Sequence, residues 1–455
     1  MKTLKLIAQL CLCSIILCGY ALRNKYPFAY SDTGAYLWSG FEGIYPHDRP
    51  IFYGLFLRHI SLKASLFFVI FAQGLIVASM IYLFFKKFTT ANKPMTITLI
   101  TCIFLPLCSG ISVNVGFLIP DVFTPVCFIS LLLILFAKNT SKPELIYLSL
   151  IFVISSLMHL SHLLIDVLFL TLIAILYFIK KTNFRYVVQR PMLPVVLTIC
   201  GLIIMPSTHY FYDRKFIYSE ASHIFRLEKL IEMGIMEDFL QTHCEENKYS
   251  LCKYKDSDQL YWGFMWDEKS PANLDGGWTA HEKEYNEIAN AILSESKYQL
   301  IFVRKTFENS FIQLFTYDVG DFSKVDAVTA LNGIRLYFKS DVHEYFSTRQ
   351  MNERLDFNVI NLLQNILLSA SIILIIMLFG SNIFTTDEKK FWVSLFISIL
   401  LFIYLNSFVC SALTSINSRF QFRIIWVIPL FLFAILIDGY PVIKARMQNF
   451  LKGNS

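Results

Sequence analysis

Charged side chains are scarce in this chain: Asp, Glu, Lys and Arg make up 16% of its 455 residues, against about a quarter in soluble proteins. That scarcity argues against an ordinary soluble domain. The short patterns behind common soluble chemistries are missing as well. There is no P-loop, no dinucleotide-binding glycine pattern, no zinc-type CxxC pair and no GxSxG elbow. ATP-driven transport and soluble-type hydrolase chemistry therefore lose their cheapest support. Internal repeats and low-complexity tracts are absent too. Of the ten cysteines, eight lie in or beside apolar stretches, where a small hydrophobe is the usual role. Cys244 and Cys252 lie in the one long polar region, where a disulfide and two free thiols are equally compatible with the sequence.

What is present is apolar length. Hydrophobic residues make up 55% of the chain, Phe alone occurs 43 times, and the mean hydropathy is +0.52. Apolar runs fall at 4–22, 64–85, 94–111, 121–137, 145–160, 162–179, 192–208, 358–380, 391–413 and 423–440, many near the roughly 20 residues that cross a bilayer as a helix. The fold class expected is an all-α polytopic membrane protein with about ten transmembrane helices. The first run follows Lys2 and Lys5 and fits a signal peptide or a first span. Gly19-Tyr20-Ala21 is a poor cleavage site, which favours an uncleaved helix.

The basic residues test this topology. With the N-terminus inside, Lys86/Lys87/Lys93, Lys138/Lys142, Lys180/Lys181/Arg185/Arg190 and Lys389/Lys390 all fall in inside turns, while the turns at 111–121 and around 160 hold no Lys or Arg. That is the positive-inside pattern, and it accounts for much of the +6 net charge without nucleic acid. Both termini are then cytoplasmic. The chain divides into a transmembrane core, 1–208, with its first external loop at 23–63; a mainly helical extracytoplasmic insert, 209–357, with helical periodicity over 222–243 and 280–312; and C-terminal spans over 358–455.

Parity sends several polar groups to the outer face. Asp32 follows the first span in Ser31-Asp32-Thr33-Gly34-Ala35-Tyr36, with Tyr30, Tyr36 and Trp38 around it. Partial desolvation there would raise its pKa toward that of a general base, and the aromatic faces suit sugar rings; an Asx turn in an aromatic belt is the plainer account. Asp48-Arg49-Pro50, followed by Tyr53, offers a guanidinium fork for phosphate, or else a helix-capping ion pair. Asp121 opens the fourth span, as a dipole cap or part of a sugar or metal site. His159 and His162 sit at a hairpin tip within an apolar stretch that also holds Asp166; they form a His–x–x–His pair without an evident third metal ligand. Arg419 and Arg423 enter the last span from outside, against the positive-inside trend, so an anionic lipid head, a diphosphate or a salt bridge to the insert should favour them.

An outward aspartate soon after the first span, a following Tyr and a basic-Pro-aromatic return to the membrane together resemble the GT-C membrane glycosyltransferases, the superfamily of protein mannosyltransferases and lipid A aminoarabinose transferases. By that resemblance Asp32 matches the acidic residue of the first external loop, Tyr36 the tyrosine after it, Arg49-Pro50 the Lys-Pro whose cation meets the lipid phosphate, and Asp121 an acidic residue of the second loop. The match departs at Thr33, where a second carboxylate is common, so that role would fall to Asp48. The resemblance implies transfer of a sugar from a polyprenyl-phosphate donor to a cell-surface glycan, lipid or protein acceptor, on the outer face of a bacterial cytoplasmic membrane. Asp32 and Asp48 would be catalytic; Arg49, Arg419 and Arg423 would hold the donor phosphate; Tyr36, Trp38, Tyr53, Asp121, His159 and His162 would line the substrate. No cofactor is required, and a divalent metal stays open. The alternatives are a lipid-linked glycan flippase or transporter, or a non-catalytic partner in assembling envelope polysaccharide.

Overall fold

The computed structural model describes residues 2–257, 260, 263–274, 276–322 and 324–453. Each of the ten apolar runs is helical. Six helices among the described residues are long and apolar enough to cross a membrane: Phe67–Phe88, Leu160–Phe178, Met192–Asp213, Asn358–Gly380, Thr386–Leu413 and Arg419–Lys444. The chain is thus an integral membrane protein of all-helical fold. The other four runs give the shorter apolar helices Lys2–Leu17, Pro94–Cys108, Phe123–Phe136 and Lys142–Leu157.

The centre of the bundle is the last long helix together with Phe123–Phe136, whose every residue is buried. Phe128 stacks on Phe402 with ring centroids 4.0 Å apart, and Phe396 stacks on Phe431 at 5.3 Å. One end of the bundle collects the basic turns. Lys86 and Lys87 pair with Glu144 at 2.8 and 2.7 Å, and Asp438 accepts from the Thr90 hydroxyl at 2.7 Å and from the Trp392 indole at 3.3 Å. The other end collects 23–61, 111–122, 158–162 and 414–425.

The first polar segment is not an open loop. It folds into two helices, Thr33–Glu42 and Phe52–Ser61, and Leu62 and Lys63 (φ 55° each) then break the chain before the Phe67–Phe88 span. The two helices cross in backbone contact at Gly40 and Gly54. A Cβ on Gly40 would lie 2.0 Å from the Gly54 carbonyl oxygen, and one on Gly54 would lie 2.5 Å from Ser39 Oγ. The crossing holds Asp32 and Arg49, at the near ends of these helices, beside each other.

The 209–357 segment divides in two. Ser222–Glu232, Ile235–His243, Glu282–Ser294 and the start of Ser296–Phe315 surround a core of their own containing Ile224, Leu227, Phe239, Ile288 and Tyr298. Cys244 and Cys252 form a disulfide at its edge. Residues 319–357 instead join the main core. Gln350 exchanges two hydrogen bonds with the Ala29 backbone, at 3.1 and 2.7 Å. The Tyr26 hydroxyl donates to Asp341 at 2.8 Å. The Lys324–Tyr337 helix packs Gly333 against Leu37 and Gly34. This second part clamps the segment that carries Asp32.

Gly40→Ala should therefore destabilise the protein by about 1–3 kcal/mol, the scale of overpacking a close contact, read as a lower melting temperature in detergent. An unchanged melting temperature would mean that the two helices do not cross at van der Waals contact.

Candidate functional site

The site lies at the end of the bundle away from the basic turns, and its residues come from six stretches of chain. Asp32 caps the Thr33–Glu42 helix without a side-chain capping bond, because both its oxygens are committed elsewhere. Oδ1 lies 2.9 Å from Arg49 Nη1 and Oδ2 accepts from Arg419 Nη1 at 3.1 Å. The carboxylate thus bridges two guanidinium groups. Arg49 turns its other edge to the neighbouring Asp48, with Nε 3.0 Å from both carboxylate oxygens and Nη2 2.5 Å from Oδ2. Its guanidinium sits over the Tyr36 ring at 5.0 Å, and that of Arg419 over Tyr30 at 4.3 Å. Asn417 donates to the Tyr30 hydroxyl at 3.2 Å and accepts from the Arg419 backbone N–H at 2.9 Å.

Beneath this layer Arg423 is entirely buried and pairs with Asp121. Its Nη2 donates to Asn406 at 2.9 Å. Asn406 in turn donates to the Phe420 carbonyl and to Gln421, at 2.6 and 2.7 Å. Removing one partner from such a buried pair is destabilising by about 3–5 kcal/mol, so Asp121 and Arg423 lock the last span in place. Asp121 also acts electrostatically on Arg419, which makes the two layers one network.

Three arginines and three aspartates balance in charge. Yet three guanidinium N–H groups of this cluster, Arg49 Nη1, Arg419 Nε and Arg423 Nε, have no aligned hydrogen-bond acceptor among the described residues. For Arg49 Nη1 the distance to Asp32 is that of an ion pair but the N–H points aside. Asp32, Arg49 and Arg419 keep 21%, 13% and 14% of their side chains exposed, while the unaccepted Arg49 Nη1 and Arg419 Nε are themselves buried. Arg423 keeps none, so it is a structural anchor and does not touch a ligand in this conformation.

The remaining candidates separate in the same way. His159 lies within the electrostatic reach of Arg423, Arg419, Asp32 and Arg49, and its Nδ1 engages the Ser161 hydroxyl at 2.8 Å. His162 spends both nitrogens, Nδ1 on the Ser155 carbonyl at 2.7 Å and Nε2 on Thr124 at 2.8 Å, which leaves none for a metal or substrate. Tyr53 is buried and donates to Gln73 at 2.8 Å, forming the wall behind Tyr36. Trp38 does not join the site. Two residues beyond Tyr36 it points to the opposite side of its helix at about 100° per residue, where it is 42% exposed. No group of three His, Cys, Asp or Glu able to hold a metal ion occurs among the described residues. Asp166 sits one turn deeper than His162, where Ser156 donates to it at 2.7 Å.

Asn406 was missed in the sequence, although a lone amide within the apolar run Phe402–Val409 is a signal that something polar must meet it. An apolar groove of about 320 Å³ runs between the Phe52–Ser61 and Lys142–Leu157 helices, lined by Phe52, Leu55, Phe56, His59, Ile60, Ile154, Leu157 and Met158. None of the cluster's side chains lines it; the lining residues nearest to the cluster in the chain are Phe52, three after Arg49, and Met158, next to His159.

The electrostatics reverse one expectation. Burial pushes the Asp32 carboxyl up, but Arg49 and then Arg419 outweigh it and hold the group well below the usual carboxylate range. Desolvation was legible in the sequence; the pairing of Asp32 with both Arg49 and Arg419 was not. Compared with protein-family models, curated proteins and solved structures, the chain matches none.

A depressed pKa stabilises the fold above the unfolded Asp value of about 3.9 and loses that contribution as pH falls through the folded value. The difference in melting temperature between the protein and Asp32→Asn should hold steady from pH 7 to about pH 5 and shrink only below about pH 4. A difference that collapses between pH 7 and 5 would mean that Asp32 is not ion-paired.

Proposed function

We propose that the protein is an integral-membrane glycosyltransferase of GT-C type, acting on the outer face of the membrane on a polyprenyl-phosphate-linked sugar. The observation that carries this reading is an arginine cluster with unaccepted N–H donors, together with an apolar groove lined by residues that follow Arg49 and precede His159 in the chain. A lipid phosphate has both parts: an anion for Arg49 and Arg419, and a hydrocarbon tail for the groove between Phe56 and Leu157.

In this reading about ten helices span the membrane, with the four shorter ones reaching partway and completed by their flanking turns. The basic turns face the cytoplasm, and the 222–298 unit stands outside, where its disulfide is at home. Arg49 and Arg419 bind the phosphate and hold the charge that grows on it as the sugar leaves. Asp48 fixes the Arg49 fork by gripping its Nε edge. Asp32, the carboxylate paired with both arginines, takes the proton of the attacking acceptor hydroxyl. His159 and Tyr36 border the space where sugar and acceptor meet. The acceptor is a glycan, lipid or protein of the cell envelope.

The test is turnover in nanodiscs of polyprenyl-monophosphate- and polyprenyl-diphosphate-linked sugars, read as release of the polyprenyl phosphate in the presence of membrane extract as acceptor source. Asp32→Asn should lower turnover by about 100- to 10,000-fold, the usual worth of a positioned base, in protein that still inserts into the membrane and is assayed below its lowered melting temperature. Normal turnover in that variant would remove the assignment.

A further inference from the structure

Asp32 occupies an unusual place for a base. Its two oxygens face two different guanidinium groups, at 2.9 and 3.1 Å, as a bound anion would. The one Arg49 nitrogen that Asp48 does not grip, Nη1, lies beside Asp32 as an ion pair with its N–H pointing aside. Arg419 likewise offers Asp32 one nitrogen while its Nε stays without an acceptor. The two arginines are therefore positioned for something with more than two acceptor oxygens and a different shape from a carboxylate. A phosphate, with three or more oxygens spread around one centre, meets that description.

We propose that Asp32 is a displaceable internal anion: a lipid phosphate replaces its carboxylate between Arg49 and Arg419, and only the displaced carboxylate serves as the base. This rests on the donor class given above and adds how the site is regulated. Without donor, Asp32 is tied to two cations and is a weak proton acceptor, so an acceptor hydroxyl or water is not activated. A sugar phosphodiester brings one negative charge into a cluster of three arginines and three aspartates that is otherwise balanced. The added charge takes over the cations and favours protonation of the released carboxylate.

The step then balances. The acceptor O–H proton passes to Asp32, the acceptor oxygen bonds to the anomeric carbon, and the carbon–oxygen bond to phosphate breaks with its electron pair on the phosphate oxygen. The second negative charge this creates on the phosphomonoester stays with Arg49 and Arg419. Binding is ordered, donor before acceptor, because the base does not exist until the donor is in place. Tyr30 and Tyr36, stacked under the two guanidinium groups, hold the cations in position while the anion between them changes.

The test compares equilibrium binding of sugar-free polyprenyl monophosphate and of neutral polyprenol to the full chain in nanodiscs. Asp32→Asn removes the internal competitor, so monophosphate binding should tighten by roughly tenfold, the equivalent of about 1.4 kcal/mol, while polyprenol binding stays unchanged. Unchanged or weaker monophosphate binding in Asp32→Asn would overturn the proposal. A second measurement needs no variant: carbodiimide labelling of Asp32 in the unaltered protein should rise on adding the monophosphate and not on adding polyprenol, and a fall or no change would overturn it equally. Failure of the donor assignment reads differently, since the unaltered protein would then bind monophosphate no better than polyprenol.

Discussion

Neutralising arginines at one end of an apolar bundle is the constraint on which the rest of this structure depends. A guanidinium cannot be discharged, so each one drawn out of water must bring a carboxylate with it. Arg423 meets Asp121 from 302 positions earlier in the chain, and Arg419 meets Asp32 from 387 positions earlier. The arginine-bearing turn of the last long helix reaches carboxylates on the 23–61 and 111–122 segments, and Asp121 stands at the head of the fully buried Phe123–Phe136 helix. The contacts that close the bundle at this end are also those that build the site.

The same constraint shapes the chemistry. A charge-balanced cluster is stable without ligand, so any anion that binds there competes with a carboxylate already present. The lower layer, Asp121–Arg423–Asn406, has no exposed surface on its arginine and serves as foundation. The upper layer, Asp32–Arg49–Arg419, keeps exposed surface and unaccepted donors. The division between anchor and working site follows depth alone: the two layers use the same residue types.

Much of this was legible from the chain. Ten apolar runs and the placement of Lys and Arg were enough to send Asp32, Asp48, Arg49, Asp121, His159 and Arg419 to one end of the bundle, where they are found. What parity does not specify is the direction of a side chain within a turn. Trp38, two residues from Tyr36, therefore leaves the site, Tyr53 becomes wall and Arg423 becomes foundation. Nor did the sequence disclose that 23–63 folds into crossed helices, since the contact depends on two glycines fourteen positions apart meeting in space. The division of 209–357 was hidden for a similar reason. Its second part has too little apolar periodicity of its own to announce a core, because its core is borrowed from the segment around Ala29 and Leu37. The shift in Asp32 followed the same logic, since burial is a local property and ion pairing across the whole chain is not.

The most direct measurement is a structure in nanodiscs with polyprenyl monophosphate bound. The account predicts phosphate oxygens within hydrogen-bond distance of both Arg49 and Arg419, the chain of the lipid along Phe52, Phe56 and Leu157, and Asp32 withdrawn from both guanidinium groups. A lipid bound elsewhere, or a phosphate at the site with Asp32 still bridging Arg49 and Arg419, would contradict it.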